Sequence, residues 1–256
     1  DGLARLLQSL ELISVPEGVE VELVVVENDA PSDRTPPPTR LRMRHAFEAE
    51  PGIPAARNRT LEIALADPGI EMLAFLDDDE TVDSEWLVVL LRTARGRNAS
   101  VVTGPANPRF PANAPPWAAA SGVFQPPGYP TGTSRPWAFT HNALIAADVV
   151  RSGGFRFDET MRHDGGSDKD FFRRVRDAGH EIIWTEDAVA AIDDLAAVAA
   201  VTVMAAMAAV AAMDDLAAVA AVAVMAAMAA VAAMDDLAAL AAMAAVAAMD
   251  DLAAMA

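Results

Sequence analysis

The stretch MLAFLDDDE, residues 72–80, joins a short apolar run to four consecutive acidic residues. Its apolar half predicts a β-strand that is buried on both faces, because such strands read as continuous apolar runs. Similar β-branched runs occur at residues 21–26 (VELVVV), 100–104 (SVVTG) and 143–146 (ALIA). Together these runs predict the strands of a central sheet.

Helical patterns alternate with the predicted strands. They cover residues 2–10, 54–66, 83–94 and 168–178. Pro54 suits a first helical turn, Asp83 or Ser84 can cap the third helix, and Gly179 can end the fourth. Strands that alternate with helices indicate an α/β fold, in which helices flank a mixed, mostly parallel sheet.

Charge and cysteine content exclude some partners and sites. The 256 residues include 37 acidic and 19 basic ones, for a net charge of -18, and no cysteine. An acidic surface repels phosphate backbones, so we expect no nucleic-acid partner. Without thiolates, a metal ion would have to bind oxygen or imidazole ligands. The opening DGLARLLQSLELI lacks the basic and long apolar regions of a secretory signal, and we expect a cytoplasmic protein.

The composition changes abruptly near residue 190, which predicts a domain at 1–190 and a tail at 191–256. A segment that begins at Asp193 repeats from Asp214 and, shortened, from Asp235. The tail is rich in Ala, Met and Val and holds no Gly or Pro, so we predict a low-complexity helical segment. No motif in it carries chemistry.

The tail allows a membrane interpretation and others. Residues 195–213 and 216–234 are each uncharged over 19 residues, which is long enough to cross a bilayer. However, Ala is barely favourable in hydrocarbon, and no Lys or Arg flanks either segment. A loose helical bundle, or a sequence that is not native, remains open. Only a tail that crosses a bilayer would place the protein at the inner face of a membrane.

The acidic residues Asp77 to Glu80 directly follow a predicted strand. Ligands of open α/β sheets bind at the carboxyl ends of strands, and neighbouring carboxylates repel one another unless a cation is present. Magnesium or manganese would bind one or two of them and complete its shell with substrate phosphate oxygens. A solvated acidic turn before the next helix is the alternative.

Seven segments occur in an order that resembles family 2 glycosyltransferases. They are VVVEND (24–29), GIPAARNRTLEIA (52–64), FLDDDE (75–80), VVTGP (101–105), HNALI (141–145), GGFRFDE (153–159) and GGSDKDFFRRVRDAGHEIIW (165–184). The resemblance implies the GT-A fold. It also implies an inverting transfer of a sugar from a nucleotide-diphosphate sugar to an acceptor hydroxyl, with Mn²⁺ or Mg²⁺ as cofactor. The acceptor would be a glycan, a lipid-linked molecule or another hydroxyl compound.

The resemblance assigns roles to the acidic residues 77–80. FLDDDE corresponds to the DxD metal-binding motif of the family, so Asp77 and Asp79 would be its two acids, with Asp79 the more direct ligand. Asp77 and Asp78 would also lie on the nucleotide side. Asp78 and Glu80 can support the metal ligands without binding the metal themselves.

The same resemblance makes Asp168 the general base. The family usually has Glu-Asp where this chain has Ser167-Asp168, and the departure affects whatever acceptor contact the Glu makes. An alcohol needs a carboxylate beside it, because it becomes a good nucleophile only as its proton is removed. Ser167 or Asp168 can instead cap the helix, and Asp164 or Asp170 would be the next candidates for the base.

Further assignments are carried over to single residues. Asp29 would contact the nucleotide base or form an ordinary Asx turn, with Asn28 serving the turn. Arg57 would bind a phosphate or pair with Glu62. The acceptor side would include Asn142, His163 and Asp170. Three aromatic residues in or next to the long Pro-rich loop at residues 105–136 would stack on sugars or anchor that loop: Trp117, Tyr129 and Trp137. The remaining histidines give no reason for selection: His45, His141 and His180.

Two departures from the family leave other functions open. The chain lacks a first strand and turn of the type VVIPTYNR, so we expect the sheet to miss one strand and the nucleotide pocket one wall. After EDAVA (186–190), the Ala-rich repeat stands where the family continues with a helical or membrane-associated segment of mixed composition. A pseudoenzyme that binds nucleotide or glycan without turnover is therefore the second hypothesis. A structural or membrane-tethering protein dominated by the tail is the third.

Overall fold

The computed structural model describes residues 2–110, 128–162 and 166–192. The predictions for the tail and for Trp117, His163 and Asp164 therefore lie outside the described residues. In the described ranges, no helix is both long enough and apolar enough to cross a bilayer.

Helices form where the helical patterns predict them. The described α-helices are α1 (Gly2–Leu10), α2 (Ile53–Leu65), α3 (Trp86–Arg97), α4 (Ala147–Gly153) and α5 (Ser167–Asp177), with 3₁₀ turns at Thr140–Asn142 and Glu159–Met161. Only α4 among these α-helices is not predicted. The predicted cap of α3 is wrong, because Glu85 occupies the N-cap position and no side chain caps it.

The strands are short. They are β1 (Glu22–Glu27), β2 (Arg42–Phe47), β3 (Met72–Phe75), β4 (Glu80–Val82), β5 (Val101–Thr103), β6 (Ala106–Pro108), β7 (Ala143–Ala146), β8 (Ile182–Trp184) and β9 (Ala190–Ile192). The four predicted strands correspond to β1, β3, β5 and β7. β1 is half-buried along its whole length and Ala74 of β3 is exposed, so the prediction of burial on both faces is wrong for these two strands.

The central sheet has the strand order β3-β7-β5-β8. β7 runs antiparallel to both of its neighbours, whereas β5 and β8 are parallel. Three of the four strands therefore point in the same direction. The predicted fold class, a mixed and mostly parallel sheet flanked by helices, is confirmed.

Two smaller sheets accompany the central one. β1 and β2 form a parallel pair, and β4, β9 and β6 form a three-stranded sheet. A cavity of about 100 Å³ is lined by side chains of β1, β2, α2 and β3, between the two-stranded sheet and the edge of the central one. Among the described residues, β1 pairs only with β2, and β3 pairs only with β7.

The core holds α5 against the central sheet. Phe171, Phe172 and Val175 of α5 are fully buried, as are Val101 and Ile182 of the sheet. Fully burying an apolar side chain of this size stabilises the fold by about 1.5–3 kcal/mol. The first turn of α5 lies beside the segment that leads into β7, since Lys169 Nζ is 4.9 Å from the centre of the Trp137 ring and 5.8 Å from that of Phe139.

Candidate functional site at the carboxyl end of strand β3

The acidic turn, residues 77–80, follows β3 directly. Its two ends are tied together, because the Asp77 N–H donates to Glu80 Oε2 at 2.7 Å and the Glu80 N–H donates to the Asp77 carbonyl at 3.2 Å. Asp78 and Asp79 are exposed and Asp77 is half-buried. The first residue of α1 packs closely on this turn, since a Cβ at Gly2 would lie 2.7 Å from the Asp78 carbonyl oxygen.

Glu80 differs from the other three acids of the turn. It has no solvent exposure. Burial raises the pKa of Glu80 to about 9; the Asp77 N–H opposes the rise, and the charges of Asp77 and Asp79 add to it. Glu80 is therefore a neutral acid near pH 7 and braces the turn from inside.

Arg57 of α2 lies beside the acidic turn. Its Nη2 is 3.4 Å from Asp77 Oδ1, and its guanidinium carbon is 5.7 Å from the centre of the Phe157 ring. The alternative partner considered for it, Glu62, instead pairs with Arg59 at 3.0 Å. The structure thus places a guanidinium next to the predicted metal motif.

Asp168 lies inside the first turn of α5. The N-cap of this helix is Gly166, whose φ of 78° is left-handed, and no side chain caps the helix. Neither Ser167 nor Asp168 is therefore the cap that the sequence allowed. Asp168 Oδ1 accepts a hydrogen bond from the N–H of Lys169 at 2.7 Å. The Asp168 carboxylate stays half-exposed at the helix N-terminus.

Asp170, the predicted alternative to Asp168, is engaged by arginines. Arg174 Nε lies 2.7 Å and Arg173 Nη2 lies 3.2 Å from its carboxylate. Burial would raise the pKa of Asp170, but hydrogen bonds from Arg174 and Arg173 outweigh it and lower the pKa below its ordinary value. The Asp170 carboxylate is therefore held in ion pairs within α5.

His141 lies just before β7, which pairs with β3, and sequence reasoning missed it as a site residue. Burial lowers the pKa of His141, the charges of Asp77 and Asp168 oppose this, and Arg57 adds to it. The pairing of β3 with β7 ends at Phe75 and Ala143, so Asp77 and His141 follow from neighbouring strand ends. Phe139 stacks on His141 with ring centres 5.1 Å apart, and Nζ of Lys169, the residue after Asp168, lies 5.8 Å from the centre of the Phe139 ring. The first turn of α5 therefore lies near this end of the sheet.

The prediction of Asn142 on the acceptor side needs correction. Its side chain has no solvent exposure. The amide donates to the carbonyls of Pro105 at 2.8 Å and Ala188 at 2.7 Å, and its oxygen accepts from Trp86 Nε1 at 2.9 Å. With these groups engaged inside the core, Asn142 is a structural residue beneath the site.

Asp29 lies at the end of β1, outside this group. It accepts from the Ala30 N–H at 2.7 Å and pairs with Arg34; the Ala30 bond first, and Arg34 second, lower the pKa of Asp29. Asn28 ties the end of β1 to the segment after β2, since its oxygen accepts from the Gly52 N–H at 2.7 Å and its amide donates to the carbonyls of Glu48 and Glu50. Among the described residues, none of the Asp29 polar contacts reaches Asp77 or Asp168.

Tyr129 and Trp137, the aromatic residues predicted to stack on sugars or anchor the loop, have different surroundings. Tyr129 packs its ring 5.3 Å from that of Trp184 and under the Arg135 guanidinium, which lies 3.6 Å from the ring centre. Tyr129 therefore anchors the loop. Trp137 is half-exposed, and Lys169 Nζ lies 4.9 Å from the centre of its ring.

The acidic turn could supply only some of the ligands of a divalent ion. Among the described residues, no group of three or more His, Cys, Asp or Glu side chains converges into a metal site. Magnesium and manganese do not require such a group, because they bind through one or two carboxylates and fill the remaining positions with water and substrate phosphate. Asp77 and Asp79 are the residues of the turn that could supply these oxygen donors.

Comparison with known proteins identifies one similar sequence. No protein-family model matches the chain. Over 194 residues, the chain is 36% identical to the succinoglycan biosynthesis protein ExoM of Rhizobium meliloti (strain 1021). The match takes in 73% of this chain and 61% of ExoM, so the chain spans less than two thirds of that relative's length.

Crystal structures of S. aureus TarS have a similar fold. One has a TM-score of 0.56 at 14% identity, and the match covers 81% of this chain and 38% of that one. TarS 1–349 in complex with UDP-GlcNAc has a TM-score of 0.53 at 14% identity, over 79% of this chain and 62% of that one. A third structure is the complex of TarS 1–349 with UDP, at a TM-score of 0.54, 14% identity and coverage of 79% and 60%. This chain therefore has the mixed α/β fold of TarS.

Proposed function

We propose that this protein is an inverting, metal-dependent glycosyltransferase of family 2 with the GT-A fold. It would move a sugar from a nucleotide-diphosphate sugar to an acceptor hydroxyl. The observation that carries the proposal is the Arg57 guanidinium 3.4 Å from Asp77, on the acidic turn that directly follows β3. The sequence similarity to ExoM and the fold shared with TarS support the same activity.

The donor side would be formed by the acidic turn and Arg57. Asp77 and Asp79 would hold Mn²⁺ or Mg²⁺, which neutralises charge on a diphosphate leaving group when bound. Arg57 would donate charge-assisted hydrogen bonds to a phosphate, exchanging its 3.4 Å contact with Asp77 for a phosphate oxygen. Asp78, exposed on the same turn, and Asp29 at the end of β1 would face the nucleotide. The TarS complexes with UDP and UDP-GlcNAc support a donor of this class.

The acceptor would be activated by Asp168. Its half-exposed carboxylate, at the N-terminus of α5, takes the proton of the acceptor hydroxyl as the oxygen attacks the anomeric carbon. The bond between that carbon and the phosphate oxygen breaks in the same step, and the electron pair leaves with the nucleoside diphosphate. Attack opposite the leaving group inverts the anomeric carbon. Asp170 is a weaker candidate because Arg173 and Arg174 bind it.

The acceptor class within this proposal is a glycan, a lipid-linked glycan or another hydroxyl compound. The site of action would be the cytoplasm or the inner face of a membrane. The similarity to a succinoglycan biosynthesis protein supports a polysaccharide-building reaction.

The test combines nucleotide binding with turnover. Nucleoside diphosphates are screened by thermal shift with and without Mn²⁺, and the nucleotide that binds is then used as its sugar conjugate in a transfer assay. We expect a metal-dependent shift and sugar transfer. A shift without transfer would select the pseudoenzyme, and no shift together with strong lipid association would select a membrane-tethering protein.

A further inference from the structure

The ring of Phe157 is buried between helix α5 and the end of strand β3. It stacks on the ring of Phe171 in α5, with ring centres 4.2 Å apart and an interplanar angle of 13°. It meets the ring of Phe75, the last residue of β3, edge to face at 6.0 Å. The ring is therefore held between the helix that carries Asp168 and the strand that leads into the acidic turn.

The backbone of Phe157 is fixed by Asn58 of α2. The Phe157 N–H donates to Asn58 Oδ1 at 2.8 Å, and Asn58 Nδ2 donates to the Phe157 carbonyl at 3.0 Å. The same amide donates to Glu159 Oε1 at 2.7 Å. Asn58 is buried, and losing such a bond would leave a buried polar group without a partner. Phe157 is thus held through both its ring and its backbone.

Arg57 lies over this fixed ring. Its guanidinium carbon is 5.7 Å from the ring centre, within the range of a cation–π contact. Arg57 and Asn58 are neighbours in α2, so one stretch of helix both fixes Phe157 and presents Arg57 to it. The Arg57 side chain is only 17% exposed, and its Nη2 reaches toward Asp77. The ring and Asp77 are thus two of the groups that hold the guanidinium in place.

The two contacts of Arg57 differ in their effect on a ligand. In the proposed function, Asp77 binds the metal ion, and Arg57 exchanges its contact with Asp77 for a phosphate oxygen. The ring does not compete with the phosphate, because it attracts the positive charge and requires none of the five N–H donors of the guanidinium. Of these two contacts, the one with Phe157 can therefore persist while Arg57 binds a phosphate.

We propose that Phe157 is a positioning residue, which holds the Arg57 guanidinium at the acidic turn before a nucleoside diphosphate binds, and that Asn58 fixes Phe157 in this position. The inference rests on the proposed function, in which Arg57 is the phosphate ligand. A long side chain loses rotamer freedom when a ligand immobilises it, and a support that is already present reduces that loss. Removing the ring should therefore weaken nucleotide binding although Phe157 touches no nucleotide.

The experiment uses the full chain and measures the affinity for UDP, GDP and dTDP in the presence of Mn²⁺ by titration calorimetry. Phe157→Leu and Phe157→Met keep an apolar side chain in the core and remove the ring. We expect each to weaken binding of the preferred nucleotide by about 3- to 10-fold, as loss of a partly desolvated cation–π contact implies. Circular dichroism at the titration temperature verifies that each variant is folded.

Phe172→Leu is the matched control. Phe172 is also fully buried in this core, and its ring packs on that of Phe171 at 5.2 Å and not, among the described residues, under Arg57. The control variant should lose stability and keep its nucleotide affinity within about twofold of the wild type. It therefore separates the loss of a core ring from the loss of the support for Arg57.

A double-mutant cycle tests whether the effect of Phe157 passes through Arg57. Arg57→Met removes the guanidinium and should itself weaken binding. In that background, Phe157→Leu should change the affinity by less than about twofold, because the group that it supports is gone. In a transfer assay, Phe157→Leu should raise the donor KM and leave the acceptor KM unchanged.

The outcomes distinguish this inference from the proposed function. If the wild type binds a nucleotide and Phe157→Leu has no greater effect than Phe172→Leu, the role of Phe157 is overturned and the proposed function stands. The same holds if Phe157→Leu weakens binding equally with and without Arg57. Wild-type affinity in Arg57→Met would overturn the phosphate ligand together with its support. A wild type that neither binds any of the three nucleotides nor transfers sugar would overturn the proposed function and this inference with it.

Discussion

The carboxyl group of Glu80 accepts a 2.7 Å hydrogen bond from the backbone N–H of Asp77, and it does so without any exposure to solvent. The residue that braces the acidic turn is thus a buried acid, while the exposed acids of the same turn face outward. This division separates the group that shapes the turn from the groups that can hold a cation. It also makes the stability of the metal-free protein depend on pH.

We expect the free energy of unfolding to fall between pH 5 and pH 9 in the presence of EDTA. The pKa of Glu80 is raised to about 9 in the folded protein from 4.5 when unfolded, so the folded state retains a proton that the unfolded state releases. This contribution is complete below pH 4.5 and is lost as pH rises through 9, by up to about 1.4 kcal/mol per pH unit. Urea denaturation of the wild type and Glu80→Gln measures it.

The Glu80→Gln protein should lack this pH dependence, because Gln cannot ionise. Glu62→Gln is the matched control, since Glu62 is exposed and pairs only with Arg59 among the described residues. It should follow the wild-type curve. Parallel curves for the wild type and Glu80→Gln would show that Glu80 does not titrate in this window.

Asp79→Ala should abolish Mn²⁺-dependent stabilisation by a nucleoside diphosphate while the protein remains folded. The substitution removes a coordinating oxygen and lessens repulsion among neighbouring carboxylates. Thermal shift with the diphosphate that binds the wild type is the measurement. Asp148→Ala, at an exposed acid of α4, is the control and should keep the shift. An unchanged shift in Asp79→Ala would remove the metal assignment.

Asp168→Asn should reduce kcat by about 10²- to 10⁴-fold and leave donor binding intact. Asn keeps the size of the side chain but cannot take a proton from the acceptor. Because the N-cap is Gly166, loss of a helix cap cannot account for such an effect. Asp170→Asn is the comparison: it should cost some stability through Arg173 and Arg174 and keep turnover. Transfer by Asp168→Asn within about threefold of the wild type would contradict the role of a base.

Asn142→Ala should destabilise the protein by at least about 2 kcal/mol, because it leaves the carbonyls of Pro105 and Ala188 and the Trp86 Nε1–H without their partner in the core. Thr133→Ala, which removes one exposed hydrogen bond, should cost less than about 1 kcal/mol. Chemical denaturation compares the two. Equal losses, or an Asn142→Ala protein of wild-type stability with a raised acceptor KM, would return Asn142 to the acceptor side.

Short elements escaped the sequence reasoning for a physical reason. β4, β6, β8 and β9 have three residues each, which is too few to display a periodicity of two; β5 is as short, but the apolar run SVVTG marked it. β2 has the sequence RMRHAF and lies in a small, half-buried sheet. Because such a strand tolerates polar residues, no apolar run marks it in the sequence. Tertiary pairing creates such strands, since their backbone groups bond to partners that are distant along the chain.

The sequence by itself determined the helices α1, α2 and α5, the strands β3, β5 and β7, and the position of the acidic turn after β3. These features follow from side-chain periodicity and from neighbours along the chain, which are local properties. The tertiary structure alone decided that Glu80 is buried and neutral, that Asn142 lies in the core, and that Arg57 lies beside Asp77. Burial and electrostatic proximity depend on groups that are far apart in sequence, such as residues 57 and 77, and only the packed fold brings them within range.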